Sequence, residues 1–253
     1  MGDEPVAAFS ARGGFRPPGQ PSLADDTCPS GLDLFLVAEK GGLAPVLRTA
    51  RPDALVCWAF AWRLPPEVLE IPRFGAINYH PSLLPRYRGP NPLAWTLRNG
   101  DSRFGVTWHR MGPQFDGGPI LAQEATQVLD EDALGDVVPR LNVMALRMLP
   151  KVMRMLASGD AGEPQSEDGA SQAPRFGDDY ASIDWSRSAK SIHTQVRAWG
   201  FQLAALPGGG PIAELDGRMW RISETSLSDP GSGARRVECA DGPLWVISSE
   251  PIE

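Results

Sequence analysis

Three short apolar runs, at residues 34–38, 54–60 and 75–80, alternate with segments that suit short helices at residues 44–50 and 67–70. Runs of this length between Gly and Pro punctuation read as buried strands rather than as helices of their own. Strand, helix and strand in succession predict an α/β fold with a parallel sheet. Pro65, Pro66 and Pro72 bracket the second helix, and Pro81 stops the third strand because it has no N–H to give to a neighbour.

Farther along, residues 92–99 predict a helix with Pro92 in its first turn and Asn99-Gly100 closing it. Residues 104–111 and 120–128 read as strands. Residues 132–157 carry Leu134, Val137, Val138, Leu141, Met144, Ala145, Met148 and Leu149 at helical spacing, a core-facing stripe, with Pro139 and Pro150 expected to kink or divide the helix. Residues 158–174, SGDAGEPQSEDGASQAP, have the small, polar, acidic composition of a linker. Beyond them a helix is expected at residues 188–199, then short strands at 212–215, 219–222, 236–238 and 244–247, separated by turn residues. Such a run of strands suggests a small β-barrel or partly closed sheet. The expected organisation is a main domain over residues 1–160, a linker at 161–178 and a barrel-like domain over 179–253. The first 30 residues, rich in Gly, Pro and Ser, offer only residues 6–9 as a short strand.

Charge and cysteines narrow the function. The chain of 253 residues has a net charge of −7; residues 1–160 hold 16 basic and 17 acidic side chains, residues 161–253 hold 8 and 14. An acidic second part repels a polyanion, which disfavours tight nucleic-acid binding there. No apolar run is long enough to span a bilayer, and the N-terminus lacks the basic-then-apolar order of a secretory signal, so a cytoplasmic protein is expected. Cys28, Cys57 and Cys239 are odd in number and far apart, and no Cys/His cluster has metal-binding spacing, so neither a disulfide scaffold nor a metal is expected. Cys57, inside an apolar run, reads as a buried inert thiol.

The stretch from Gly75 to Gly89, GAINYHPSLLPRYRG, is the most informative. Asn78 and His80 are two apart on a predicted strand and project from one face at its end. Strand ends of open α/β sheets are where ligands bind. Asp116 follows in the glycine-rich turn Gln114-Phe-Asp-Gly-Gly118, from which a carboxylate can reach an imidazole. Asn, His and Asp supply no nucleophile. They suit oxyanion stabilisation and proton movement while the substrate itself attacks.

The segments Ala59-Phe-Ala-Trp-Arg-Leu-Pro65, Asn78-Tyr-His-Pro-Ser-Leu-Leu-Pro85, Tyr87-Arg-Gly89 and Phe115-Asp-Gly-Gly118 resemble, in order and spacing, the folate-dependent formyltransferases of methionyl-tRNA, glycinamide ribonucleotide and amino sugars. Residues 183–193 and 237–245 look like the C-terminal β-barrel domain of the methionyl-tRNA and amino-sugar enzymes. The resemblance spans residues 45–250. It implies a Rossmann-like, mainly parallel sheet plus a small OB-like barrel, with the N-terminal βα unit truncated or remodelled in this chain. It places catalytic residues at Asn78, His80 and Asp116. It also implies a cleft for 10-formyltetrahydrofolate walled by Phe60, Ala61, Trp62, Arg63, Leu64, Met111, Gly112 and Asp116.

Other polar residues carry two readings each. Arg86 and Arg88 are readers of a substrate phosphate or carboxylate, or surface charge. Ser82 has no His/Asp pair placed to activate it and, in the family, shapes the loop; with His109 it joins the candidate substrate residues. His193, on the second-domain helix, reads as structural. Trp58 and Trp62 stand where an aromatic stacks on a pterin or packs in the core. The glycine-rich PGGGP at residues 207–211 is not a dinucleotide fingerprint.

The acceptor expected from the acidic second domain, the three lysines in all and the short N-terminal region is a small amine, in amino-sugar or specialised natural-product metabolism. Methionyl-tRNA is the alternative, and a non-catalytic module binding folate or amines is the reading from another class. A homodimer is compatible with the sequence. No membrane partner is expected.

Overall fold

A computed structural model describes residues 7–11, 33–37, 42–58, 60, 63–202, 209–231 and 233–252, the first two segments as backbone. Ala61, Trp62, Cys28 and residues 203–208 lie outside the described residues. The chain divides into two units. The first takes residues 1–88, 105–124 and 141–171, the second residues 89–104, 125–140 and 172–253.

In the first unit, strands β1 (Ala7–Ala11) and β2 (Asp33–Val37) pair in parallel. Helix α1 (Leu43–Ala50) and the single turn α2 (Pro66–Leu69) flank strand β3 (Leu55–Trp58), and β4 (Ala76–His80) follows. Leu43, Ala44, Leu47, Cys57, Leu64 and Val68 form one buried cluster from these elements. Its apolar residues on α1 recur at helical spacing, which is why so short a helix is stable only against the sheet.

The main sheet runs β3-β4-β5-β6, with β5 at Arg103–Arg110 and β6 at Ile120–Gln127. β3 and β4 are parallel, as expected, but β5 is antiparallel to β4, so the sheet is mixed. Hydrophobic periodicity carries no information about strand direction, and the long connection between β4 and β5 permits either sense. β5 is buried almost throughout. Phe104, Val106 and Trp108 are fully buried, and the Trp108 indole donates to the Ala145 carbonyl of helix α4 (Leu134–Ala157) at 3.0 Å.

α4 remains one 24-residue helix through both Pro139 and Pro150, which therefore do not divide it. Its apolar stripe of Leu141, Ala145, Met148, Val152 and Leu156 is buried. Burial of this side outweighs the roughly 3 kcal/mol that an interior proline costs.

The segment after α4 is more tightly held than linker composition predicts. Glu163 and Ile120 exchange backbone hydrogen bonds at 2.8 Å each way, and the Ser171 carbonyl and hydroxyl accept from the N–H groups of Arg88 and Tyr87.

In the second unit, α3 (Pro92–Arg98) and α5 (Ala189–Gly200) accompany a four-stranded sheet in the order β7-β8-β10-β9. Its strands are β7 (Ile212–Leu215), β8 (Arg218–Ser226), β9 (Arg235–Cys239) and β10 (Gly242–Pro251). The Ser188 side chain caps α5 by accepting from the Ser191 N–H. β10 shifts register against β8 between Val246 and Ser249, which curls the sheet into a half-barrel over Ile192, Val196, Ile222, Leu244 and Val246.

Candidate active site

The pleat of the main sheet sorts its residues into two faces. Trp58, Tyr79 and Trp108 stand side by side across β3, β4 and β5, with ring centroids 4.4–5.9 Å apart, on one face. Trp58 is thus the half-buried end of an aromatic ladder whose other members, Tyr79 and Trp108, are buried. The preceding row, Cys57, Asn78 and His109, projects from the opposite face, where His80 and its partner Thr107 also lie.

The loop after β5 is closed by the Arg110 N–H donating to the Pro119 carbonyl at 2.8 Å, so residues 111–118 fold back on the chain. Asp116 adopts φ +51°, the left-handed region that Asp tolerates better than most residues. Gly118 permits the tight return: a Cβ there would lie 1.8 Å from the Arg110 carbonyl oxygen. Because the obstacle is backbone, Gly118→Ala is expected to destabilise the protein by about 1–3 kcal/mol and to displace Asp116. Denaturant titration of the variant checks the first effect.

Four side chains converge. The Asp116 carboxylate, itself buried, lies 3.6 Å from His80 Nδ1 through one oxygen and 3.6 Å from His109 Nε2 through the other. The Asn78 amide nitrogen is 3.2 Å from His109 Nε2. Each imidazole is oriented from behind by a backbone carbonyl: His80 Nε2–H donates to Tyr87 O at 2.8 Å and His109 Nδ1–H to Arg110 O at 2.9 Å. Carbonyls only accept, so these bonds assign the outer protons. His80 Nδ1 is left to share a proton with Asp116, whereas His109 Nε2 faces the Asn78 amide N–H and accepts from it. Burial lowers the His80 pKa; the Asp116 charge and the Tyr87 carbonyl oppose that shift, and His109 adds to it.

A pocket opens over this cluster, lined by Cys57, Phe60, Arg63, Leu64, Asn78, His109, Met111, Gly112, Gln114, Phe115 and Asp116. One wall is apolar and the floor carries amide, imidazole and carboxylate groups. Burial pushes the Cys57 thiol up to about 12, so it contributes shape and not a thiolate. His80 sits behind Asp116 and does not line the pocket; His109 does.

Sequence reasoning placed His109 only among substrate residues, without its carboxylate. The signal that finds it is register: in an antiparallel pair, Asn78 stands opposite His109.

The remaining candidates are placed as follows. Ser82 is buried and donates its hydroxyl proton to the Arg86 carbonyl at 2.7 Å, an arrangement that shapes the 82–86 turn. Arg86 is exposed and stacks over Tyr87. Arg88 is buried at 3% exposure, turned inward onto Gln165 and Glu167. Among the described residues no cluster of His, Cys, Asp and Glu has the geometry to hold a metal, and no helix is long and apolar enough to cross a membrane.

Residues 38–153 match the family model described as formyl transferase. Methionyl-tRNA formyltransferase of Pelobacter propionicus is 33% identical over 211 residues, covering 79% of this chain and 64% of that protein. The enzyme of the same name from Marinobacter nauticus is 34% identical, covering 81% of this chain and 68% of the relative. The chain therefore spans a little under two thirds of the first relative's length. The solved structure of HypX from Aquifex aeolicus in complex with tetrahydrofolic acid is similar in fold, with a TM-score of 0.67 at 19% identity over 88% of this chain and 40% of that one.

Proposed function

This chain belongs to the formyl transferase family, and from that premise we propose that it moves a formyl group from 10-formyltetrahydrofolate to an amine. The observation that carries this reading is the convergence of Asn78, His109 and Asp116 at one pocket, with His80 behind. The apolar wall of Phe60, Leu64, Met111 and Phe115 suits a flat ring system. The polar floor suits a formyl group above it.

In the proposed reaction the amine nitrogen bonds to the formyl carbon and the bond from that carbon to the folate nitrogen breaks. The Asn78 N–H donates to the oxygen that becomes negative during attack. Asp116, sharing a proton with His80, takes the amine proton and returns one to the departing nitrogen. His80 acts through Asp116, because Tyr87 engages its outer N–H. We place this chemistry in the domain of residues 1–160, in the cytoplasm.

The acceptor best supported by the relatives is methionyl-tRNA, which reverses the order of preference drawn from charge. Eight similar curated proteins, at 32–36% identity, carry that activity in their names. A small amine remains the second reading, favoured by the 14 acidic against 8 basic side chains in residues 161–253.

Release of tetrahydrofolate in the presence of methionyl-tRNA, measured beside a panel of small amines, tests the proposal. With the tRNA acceptor, log affinity is expected to fall steeply and linearly with log salt as phosphate counterions are released. A flat salt dependence with turnover on a small amine transfers the assignment to the second reading, and no folate release with any amine overturns the reaction.

A further inference from the structure

We propose that Gln165, on the segment whose composition reads as linker, is a positioning residue for Asp116, holding the carboxylate between the two imidazoles. Its role in catalysis rests on the formyl-transfer reading; its role in placing Asp116 does not.

One amide spans the catalytic turn. Gln165 Nε2 donates to the Asp116 carbonyl at 2.7 Å and to the Gly118 carbonyl at 2.8 Å, gripping the turn on both sides of Gly117. Its Oε1 accepts from Arg88 Nε at 3.1 Å and Nη2 at 3.0 Å. Both amide protons and both carbonyl lone pairs are therefore used. The partners also assign the amide orientation, since carbonyls cannot donate and a guanidinium cannot accept.

Arg88 is held in its turn by bonds from Nη1 and Nη2 to the Glu167 carboxylate and by its own N–H to Ser171 O. Asp116 requires such a grip because its backbone is left-handed. Its carboxylate stands 3.6 Å from each imidazole, so the placement of this one turn sets both contacts at once.

Glutamine matches this position in both length and hydrogen-bonding groups. Asparagine is one methylene short of the carbonyls, and glutamate sets an oxygen against both of them. Methionine keeps the volume and removes every hydrogen bond, so Gln165→Met is the sharpest test.

The chain has three histidines, so their ring-proton signals can be followed individually by NMR as pH is varied. The charged groups facing His80 are Asp116, from the turn, and His109, from β5; the Tyr87 carbonyl is its remaining polar partner. In Gln165→Met the carboxylate that favours the imidazolium is displaced, so His80 is expected to titrate at lower pH than in the wild type. His193, in the second unit, keeps its titration and reports an intact fold. If the wild type transfers formyl groups, kcat of the variant falls by up to about 10²-fold, the cost of a small misplacement at a reacting centre.

An unchanged His80 titration in a folded variant overturns the proposal, whether or not any formyl transfer is detected. If Gln165→Met does not fold, Gln165→Glu keeps the size and the pairing with Arg88. In that variant the Gly117 amide, which donates to Gln114 O at 3.3 Å in the intact turn, is expected to exchange with solvent faster. Wild-type exchange there in folded Gln165→Glu also overturns the proposal.

Discussion

Asn78→Ala is expected to lower the rate of formyl transfer by about two to three orders of magnitude, the usual loss for one oxyanion donor, while the protein stays folded. Asn78 is half-buried and faces the pocket, and its amide nitrogen meets a side chain, His109 Nε2. Removing its amide therefore takes away a donor without orphaning a backbone group. The contrast is His80→Ala. That change is expected to lower turnover and also to cost about 1–3 kcal/mol of stability, because the buried Tyr87 carbonyl loses its donor. Turnover numbers, together with thermal unfolding of both variants, separate the two. Wild-type turnover in folded Asn78→Ala would remove Asn78 from the chemistry.

The second large effect concerns Asp116→Asn. Asparagine has the same shape and accepts the left-handed backbone of residue 116 as readily as aspartate does, so the turn is preserved. What disappears is the negative charge between His80 and His109. Loss of a group that moves protons in the transition state reduces rate by about 10²–10⁴-fold. The pH dependence follows from sign. Burial already lowers the His80 pKa, and Asp116 is the foremost influence opposing that. In Asp116→Asn the imidazolium is less favoured, so at any given pH a smaller fraction of His80 is charged and the titration moves to lower pH. A variant with wild-type turnover and an unmoved His80 titration rules out the proton-sharing role. Together with Gln165→Met, the pair distinguishes losing the carboxylate from losing its position.

Much of the site was legible before folding is considered. Asn78 and His80 are two residues apart on a strand, and the period of a strand puts them on one face wherever the strand goes. The glycines around Asp116 announce a turn able to bend a carboxylate back. Arg88 is a different case. In sequence it is a charge beside another charge, indistinguishable from Arg86, yet one guanidinium is exposed and the other is buried on Gln165. A buried arginine is recognisable only from the groups that pair with it, and these lie 77 and 79 residues away. Gln165 escaped notice for the same reason: its neighbours are small, polar and acidic, and nothing local shows that its amide serves two carbonyls in another loop.

Local pattern thus determined the strands and helices, the capped start of α5, the shared face of Asn78 and His80, and the turn that carries Asp116. These depend on residue spacing and turn chemistry, which act over a few residues. The tertiary structure decided that β5 runs antiparallel to β4, bringing His109 opposite Asn78, and that the 163–171 segment packs along the catalytic turn instead of spanning open solvent. Both depend on pairing between residues distant in the chain. There the energy lies in satisfying buried donors and acceptors, which no window of local sequence contains.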